Sequence, residues 1–312
     1  MKRQLMKTRG YILAAVAAIS YGTNPLFALP LYEAGMNAAS VLFYRYMVAV
    51  ILMGLFMMWR GKNIMLSLRD FPMMLGLGVL FAMSSLLLYE SYNHMDVGIA
   101  STMLFVYPVM VALIMWAVYR QRLSAMTILS LAMSLGGIML LYSPGEGTHV
   151  SLTGIIMVML SSLSYAIYMV AVNKSRLKAL SAEALTFYSM LFGTPVFLVR
   201  LDFGAQLQWV PEGWLPWACV IGIAVFPTII SLLAMAVAIH DIGSVPVAVM
   251  GALEPITGIA FGVLLFGEIL TPRSITGVIL ILLSVTIIVL SRPLTSFIRS
   301  TVMNRLKRNW KR

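Results

Sequence analysis

Charge is scarce in this chain. Lys, Arg, Asp and Glu together make up 11% of its 312 residues, less than half the share of about 25% usual in soluble domains. So few charges cannot cover the surface of a soluble globule, and so apolar a chain is not a disordered one. Acids are the scarcer sign, 11 against 22 Lys+Arg, for a formal charge of +11. An excess of base often marks a nucleic-acid binder, but in this composition it reads as a membrane-topology signal, and no nucleic-acid partner is expected. Cysteine is absent except at Cys219, so no internal disulfide can form.

What fills the chain is apolar. Hydrophobic residues reach 61%, against about 45–50% in globular proteins. A bilayer core about 30 Å thick takes roughly 20 apolar residues in a helix. Ten stretches approach or meet that length: Gly10–Leu29, Ala38–Trp59, Phe71–Ser91, Gly98–Val118, Ala125–Tyr142, Ser151–Val172, Ala182–Val199, Leu215–Ile239, Gly243–Phe266 and Ser274–Leu290. A membrane β-barrel would need short alternating strands, and runs such as Ile275–Leu290 do not alternate. The start, Met1–Arg9 and the apolar run behind it, has the look of a signal peptide, but the run is too long and nine more follow, so it reads as the first helix. The expectation is an all-α polytopic membrane protein of ten transmembrane helices.

Counting Lys and Arg by loop gives an orientation. With the amino terminus in the cytoplasm, nineteen of the 22 cations fall on that side, seven of them between Arg292 and Arg312. The outer loops hold only Arg200 and Arg273, and Arg45 lies within a helix. Both termini are expected to be cytoplasmic, in a bacterial inner membrane. The basic tail at 291–312 would be drawn to anionic lipid, or is a solvated topology signal.

The chain also repeats itself. Gly10, Ser20-Tyr21 and Phe43-Tyr44 recur 144 residues later as Gly154, Ser164-Tyr165 and Phe187-Tyr188. Pro108 and Leu123-Ser124 recur 147 residues later as Pro255 and Leu270-Thr271. Five spans is an odd number, so the second half enters the membrane upside down relative to the first. Inverted repeats are the architecture of secondary transporters, whose halves exchange conformations around a midplane site. The expected boundaries are a basic N-terminus at 1–9, five-helix repeats at 10–142 and 151–290, and the tail.

With ten spans in two halves, the sequence resembles the drug/metabolite transporter superfamily, in particular its EamA-type branch. The resemblance rests on Ser20-Tyr21-Gly22-Thr23-Asn24-Pro25, Phe43-Tyr44-Arg45, Glu254-Pro255 and Gly267-Glu268-Ile269-Leu270-Thr271. The first half departs from the pattern, with Tyr107-Pro108 for the Glu-Pro pair and Gln121 for the later Glu. The resemblance implies a small-metabolite exporter, often of amino acids or their relatives, with a cavity between the halves.

A charge at the bilayer centre is costly, about 2.5–3.5 kcal/mol on insertion scales, so each one needs a reason. Arg45, Glu90 and Glu254 are the three inside. Glu254 shares a helical face with Gly251, Gly258 and Gly262 and so faces protein rather than lipid. It reads either as a substrate-amine or proton site, or as a carboxylate bonded to neighbouring backbone that holds a bent helix. Pro255 beside it loosens that helix and is a candidate gating residue. Glu90 borders the stripe Gly78, Ala82, Ser85, Tyr89 and Tyr92, at a cavity edge or at the interface. Arg45 has Glu90, Glu33, a substrate carboxylate or interfacial water as alternatives.

Tyr21 and Asn24 on the first helix, Tyr89 on the third and Tyr165 and Tyr168 on the sixth complete a plausible substrate-binding set, since tyrosine offers an apolar face with a hydrogen-bonding tip. The alternative for each is interhelical packing. Tyr11, Tyr32, Trp59, Trp214 and Trp217 read as interface anchors. The 25 methionines read as adaptable packing rather than a metal relay. No P-loop, H-E-x-x-H or G-x-S-x-G pattern is present, and no cofactor or metal is expected. The expectation is therefore a transporter, a monomer or homodimer, coupled to protons through Glu90 or Glu254 or working by facilitated diffusion. The alternatives are an uptake carrier of the same fold, and a membrane enzyme acting on a lipid-linked substrate with Glu90, His94 and Asp96.

Overall fold

A computed structural model of the chain describes residues 2–61, 66–91, 94–95, 100, 103–141, 151–266, 272–273, 275–284 and 286–287. Tyr92, Asp96, the 267–271 motif and the basic tail lie outside them, as do the side chains of Gly258 and Gly262. Ten apolar helical stretches run through the described residues. Six are long and apolar enough to cross a membrane: Leu5–Glu33, Ala38–Trp59, Phe71–Ser91, Leu152–Lys174, Ala182–Arg200 and Trp214–Ile242. Four are shorter: Tyr107–Ala117, Ala125–Leu140, Ser244–Thr257 and Ile275–Ser284. They are numbered below as the first to tenth spans in chain order, and they fall where the ten predicted segments lie.

Three of the long spans open on side-chain caps. Asn37, Ser151 and Ser181 accept the backbone N–H of Ser40, Gly154 and Ala184, at 2.8, 3.1 and 3.2 Å. Each satisfies a donor that the first helical turn leaves without a partner. Asn37 and Ser181 lie 144 residues apart, so the second and seventh spans start at equivalent positions of the repeat.

The packing carries the same symmetry. The first span lies against the eighth and ninth, and its counterpart, the sixth, lies against the third and fourth. The second and seventh pack on each other, as do the fourth and ninth, which places the relating axis between the halves. The third and seventh spans cross closely at Gly78 and Gly193, where a Cβ on Gly193 would stand 3.1 Å from the Gly78 carbonyl oxygen. Small residues permit such approach where no water drives helices together.

Four spans depart from regular helix, the first and the eighth beside a proline. The first is interrupted at Thr23, and helix resumes at Asn24 with Pro25 in its first turn, since proline lacks an N–H. The eighth passes through a π-helical stretch, Val225–Ile230, around Pro227. Pro227 cannot bond the Ile223 carbonyl, and the Thr228 hydroxyl donates to it instead at 2.7 Å. The ninth is broken at Gly251-Ala252, between Ser244–Met250 and Leu253–Phe266. A turn at Phe105-Val106 precedes Tyr107–Ala117 in the fourth. Helices interrupted at corresponding places of both halves are the usual setting of a transporter's binding site.

The two ends of the bundle carry different ion pairs. Arg9 meets Asp241 at one end, and Arg200 meets Glu90 at the other. The first end also brings Arg176 to the Arg69 carbonyl and Lys174 over the Tyr119 ring. Segments that the charge count assigns to one side thus lie together.

Candidate functional site

Equivalent positions of the two halves make equivalent contacts between spans. Ala17 and Ser161 are equivalent at the offset of 144, and Ser84 and Ser231 at the offset of 147. In one pairing of spans the Ser231 hydroxyl donates to the Ala17 carbonyl at 3.0 Å. In the other the Ser161 hydroxyl donates to the Ser84 carbonyl at 2.6 Å, with the two hydroxyls 3.2 Å apart. The same two positions therefore pin the first span to the eighth and the sixth to the third. Tyr21 corresponds in this register to Tyr165, Asn24 to Tyr168, Arg45 to Ser189, and Tyr107 to Glu254.

Arg45 is 1% exposed, although it carries a full charge. Its Nε donates to the Thr228 hydroxyl at 2.6 Å and Nη2 to the Pro227 carbonyl at 3.3 Å, so it reads acceptors that the π-helical stretch sets free. Nη1 reaches the Asn24 side-chain oxygen at 3.4 Å, and the guanidinium lies 5.7 Å over the Tyr21 ring. Among the described residues Arg45 forms no ion pair with Glu33 or Glu90. The Glu90 carboxylate instead receives Arg200 at 2.7 Å, at the rim of a cavity of about 430 Å³ lined also by Tyr32, Tyr89 and Gln206. Tyr32, expected as an interface anchor, packs edge-on against Tyr89 with ring centres 6.2 Å apart.

Glu254 sits in the first turn after the break in the ninth span and is half-buried. Its backbone N–H donates to the Gly251 carbonyl at 2.9 Å. Its carboxylate has no hydrogen-bond or ion-pair partner among the described residues. The first span runs close by, with a Cβ on Gly22 falling 2.7 Å from the Glu254 carbonyl oxygen. Pro255 follows in the first turn, where the N–H it lacks would have no helical acceptor. The discontinuity lies at Gly251-Ala252 rather than at Pro255 itself.

Tyrosines of other spans lie near this break. The Tyr107 hydroxyl stands where a Cβ on Gly251 would be, and Tyr21 precedes Gly22, which packs on the Glu254 carbonyl. The rings of Tyr107 and Tyr165 meet edge-on at 4.9 Å, and the Tyr107 hydroxyl donates to the Ala248 carbonyl at 3.3 Å. Tyr165 turns its hydroxyl to the Met235 sulfur at 3.3 Å. Tyr168 lies a layer further in, fully buried against Phe81, with its hydroxyl 3.2 Å from that of Ser189.

The candidate centre thus has Arg45 over the Tyr21 ring, with Asn24 as a support of Arg45, and Tyr107 against Tyr165 beside the break that precedes Glu254. Tyr168 stands in the packing behind it, and Tyr89 and Glu90 line the cavity toward one end. Thr228 and Pro227 were not singled out from the sequence, although a proline in mid-span was a signal. Tyr107 was noted as the position that answers Glu254 at the offset of 147, but not as part of the site. Of the enzyme cluster, Glu90 is held by Arg200, and Asp96 lies outside the described residues.

Known proteins resemble this chain over most of its length. The profile of the EamA-like transporter family matches it twice, over residues 8–143 and 152–290. An uncharacterised transporter of Synechocystis sp. is 29% identical over 220 residues, 69% of this chain and 65% of that protein's length. The chain thus spans just under two thirds of that relative. An uncharacterised transporter of Archaeoglobus fulgidus is 29% identical over 216 residues, 69% of this chain and 75% of its own length. Uncharacterised transporter YvbV of Bacillus subtilis is 23% identical over 300 residues, covering 92% of this chain and 93% of its own. One crystal structure superposes over 92% of this chain and 99% of its own with a TM-score of 0.80 at 14% identity, a likeness of fold.

Proposed function

Because the chain belongs to the EamA-like transporter family, we propose that it is a secondary transporter that exports a small polar or amphipathic metabolite, an amino acid or a relative of one, by alternating access. The observation that carries this reading is the convergence of repeat-equivalent positions on one interior centre. Tyr21 and Tyr165, and Glu254 and Tyr107, come from spans that the repeat exchanges. A rocking of one half against the other changes which end reaches that centre while the side chains there stay together.

Tyr21, Asn24, Tyr89, Tyr165, Tyr168 and Glu254 form the substrate path in this reading, with Tyr168 and Asn24 shaping it from behind. Arg45, Glu90 and Pro255 serve coupling or gating. In this reading the membrane is the bacterial inner membrane with both termini cytoplasmic, and anionic lipid is a partner of the basic tail. A carboxylate without a partner inside a membrane is suited to carry a proton in exchange for solute. Liposomes containing the purified chain, assayed with and without an imposed pH gradient, test the coupling. Solute accumulation driven by the gradient is expected, and accumulation indifferent to it ends the proton reading.

A further inference from the structure

A site inside a membrane holds a small zwitterion by offering a fixed cation to its carboxylate and a fixed anion to its amine. Both charges are present at this centre, on unequal terms. Arg45 is 1% exposed. All three guanidinium nitrogens already donate within the protein, to Thr228, Asn24 and the Pro227 carbonyl, and one face is laid on Tyr21. A solute carboxylate at this group competes with the π-helical stretch of the eighth span for its donors. Glu254 differs on each count, being half-buried and without a donor among the described residues.

The repeat adds no second charge. The position equivalent to Arg45 holds Ser189, whose hydroxyl meets Tyr168, and the position equivalent to Glu254 holds Tyr107, whose hydroxyl is given to Ala248. What remains at this centre is one carboxylate without a donor among the described residues, with the Tyr107 hydroxyl against Gly251 three residues before it and the Tyr107 and Tyr165 rings meeting edge-on at 4.9 Å. A single carboxylate beside tyrosines suits an organic cation, because ring faces attract positive charge. The locked guanidinium nearby repels a second positive charge and so favours a single one.

We infer that the centre takes a monovalent organic cation, an ammonium group on an apolar body, and discriminates against the zwitterion and the anion of the same body. This rests on the carrier reading and narrows its substrate from amino acids to amines. The test uses the purified full chain in detergent and three probes that share one ring: tyramine, tyrosine and 4-hydroxyphenylpropionate, titrated by calorimetry at neutral pH. Tyramine is expected to bind at least about tenfold more tightly than the other two, with the difference lost in Glu254→Gln and partly kept in Glu254→Asp. Thermal unfolding close to that of the wild type in either variant shows that the fold is intact. Tyrosine binding as tight as tyramine, no binding of tyramine, or tyramine binding unchanged in Glu254→Gln overturns the inference. Exchange of an amino-acid mixture across liposomes by a chain that binds no tyramine would sink the cation assignment alone. Exchange of neither class would remove the carrier reading with it.

Discussion

The Tyr107 hydroxyl fills the hollow left by the missing side chain of Gly251. A Cβ on Gly251 would overlap the Tyr107 oxygen, and the same oxygen donates to the carbonyl of Ala248 one turn earlier. The fourth and ninth spans, which the repeat exchanges, therefore interlock beside Glu254. Gly251→Ala is expected to destabilise the protein by about 1–3 kcal/mol, the usual cost of overpacking. Tyr107→Phe removes the obstructing atom, so the double variant should recover part of that loss. Thermal unfolding of the single variants and the double variant in detergent checks this, and additive effects would contradict the interlock.

Thr228 joins two otherwise unmatched groups, accepting from the Arg45 Nε while donating to the Ile223 carbonyl that Pro227 leaves bare. Thr228→Val keeps the shape and removes both bonds. Stranding buried polar groups costs about 1–3 kcal/mol each, more when one is charged. A lowered unfolding temperature is expected, larger than for Thr286→Val. That hydroxyl bonds only within its own helix, to the Leu282 carbonyl, on an exposed face. Equal effects would show that the π-helical stretch does not depend on this network.

Arg9 meets Asp241 through two bonds, at 2.9 and 3.0 Å, and ties the start of the first span to the end of the eighth. Next to it, a Cβ on Gly10 would stand 2.8 Å from the Asp241 Cβ. At the opposite end of the bundle the repeat-equivalent Gly154 lies against His94 and Met95, which are equivalent to Asp241 and Ile242. That end is closed by a backbone bond from Ser151 to His94, 3.2 Å, where the first has an ion pair. Asp241→Asn should therefore alter access at one end only. Labelling of a cysteine introduced at Ala14 by an impermeant maleimide is expected to speed up from the Arg9 side, with Arg9→Gln giving no further increase. Equal change from both sides would contradict a one-ended clasp.

Much of the fold was legible because its cause is covalent composition. Runs such as Ala38–Trp59 are apolar over the length a bilayer needs, and the offsets of 144 and 147 put Tyr21 with Tyr165 and Tyr107 with Glu254 before any coordinates. Arg45 was legible as a buried charge but not by its partners. Two of those partners, the Thr228 hydroxyl and the Pro227 carbonyl, lie on the π-helical stretch of the eighth span, and a backbone rearrangement of that kind has no periodic signature. Glu90 and Arg200 lie 110 residues apart in sequence, and nothing in either neighbourhood names the other. Tyr168 looked equivalent to Tyr165 from its spacing. It is set apart by Ser189 and Phe81, which come from other spans.

Solute exchange tests the central claim most directly. The purified chain is reconstituted in liposomes preloaded with an unlabelled mixture of small amines and amino acids, and uptake of labelled counterparts is followed. The account predicts saturable counterflow by the wild type, reduced at least about tenfold in Glu254→Gln and in Tyr165→Ala at equal reconstitution, as expected for loss of groups that hold the solute. Counterflow at the wild-type rate in both variants, or none by the wild type, would contradict it.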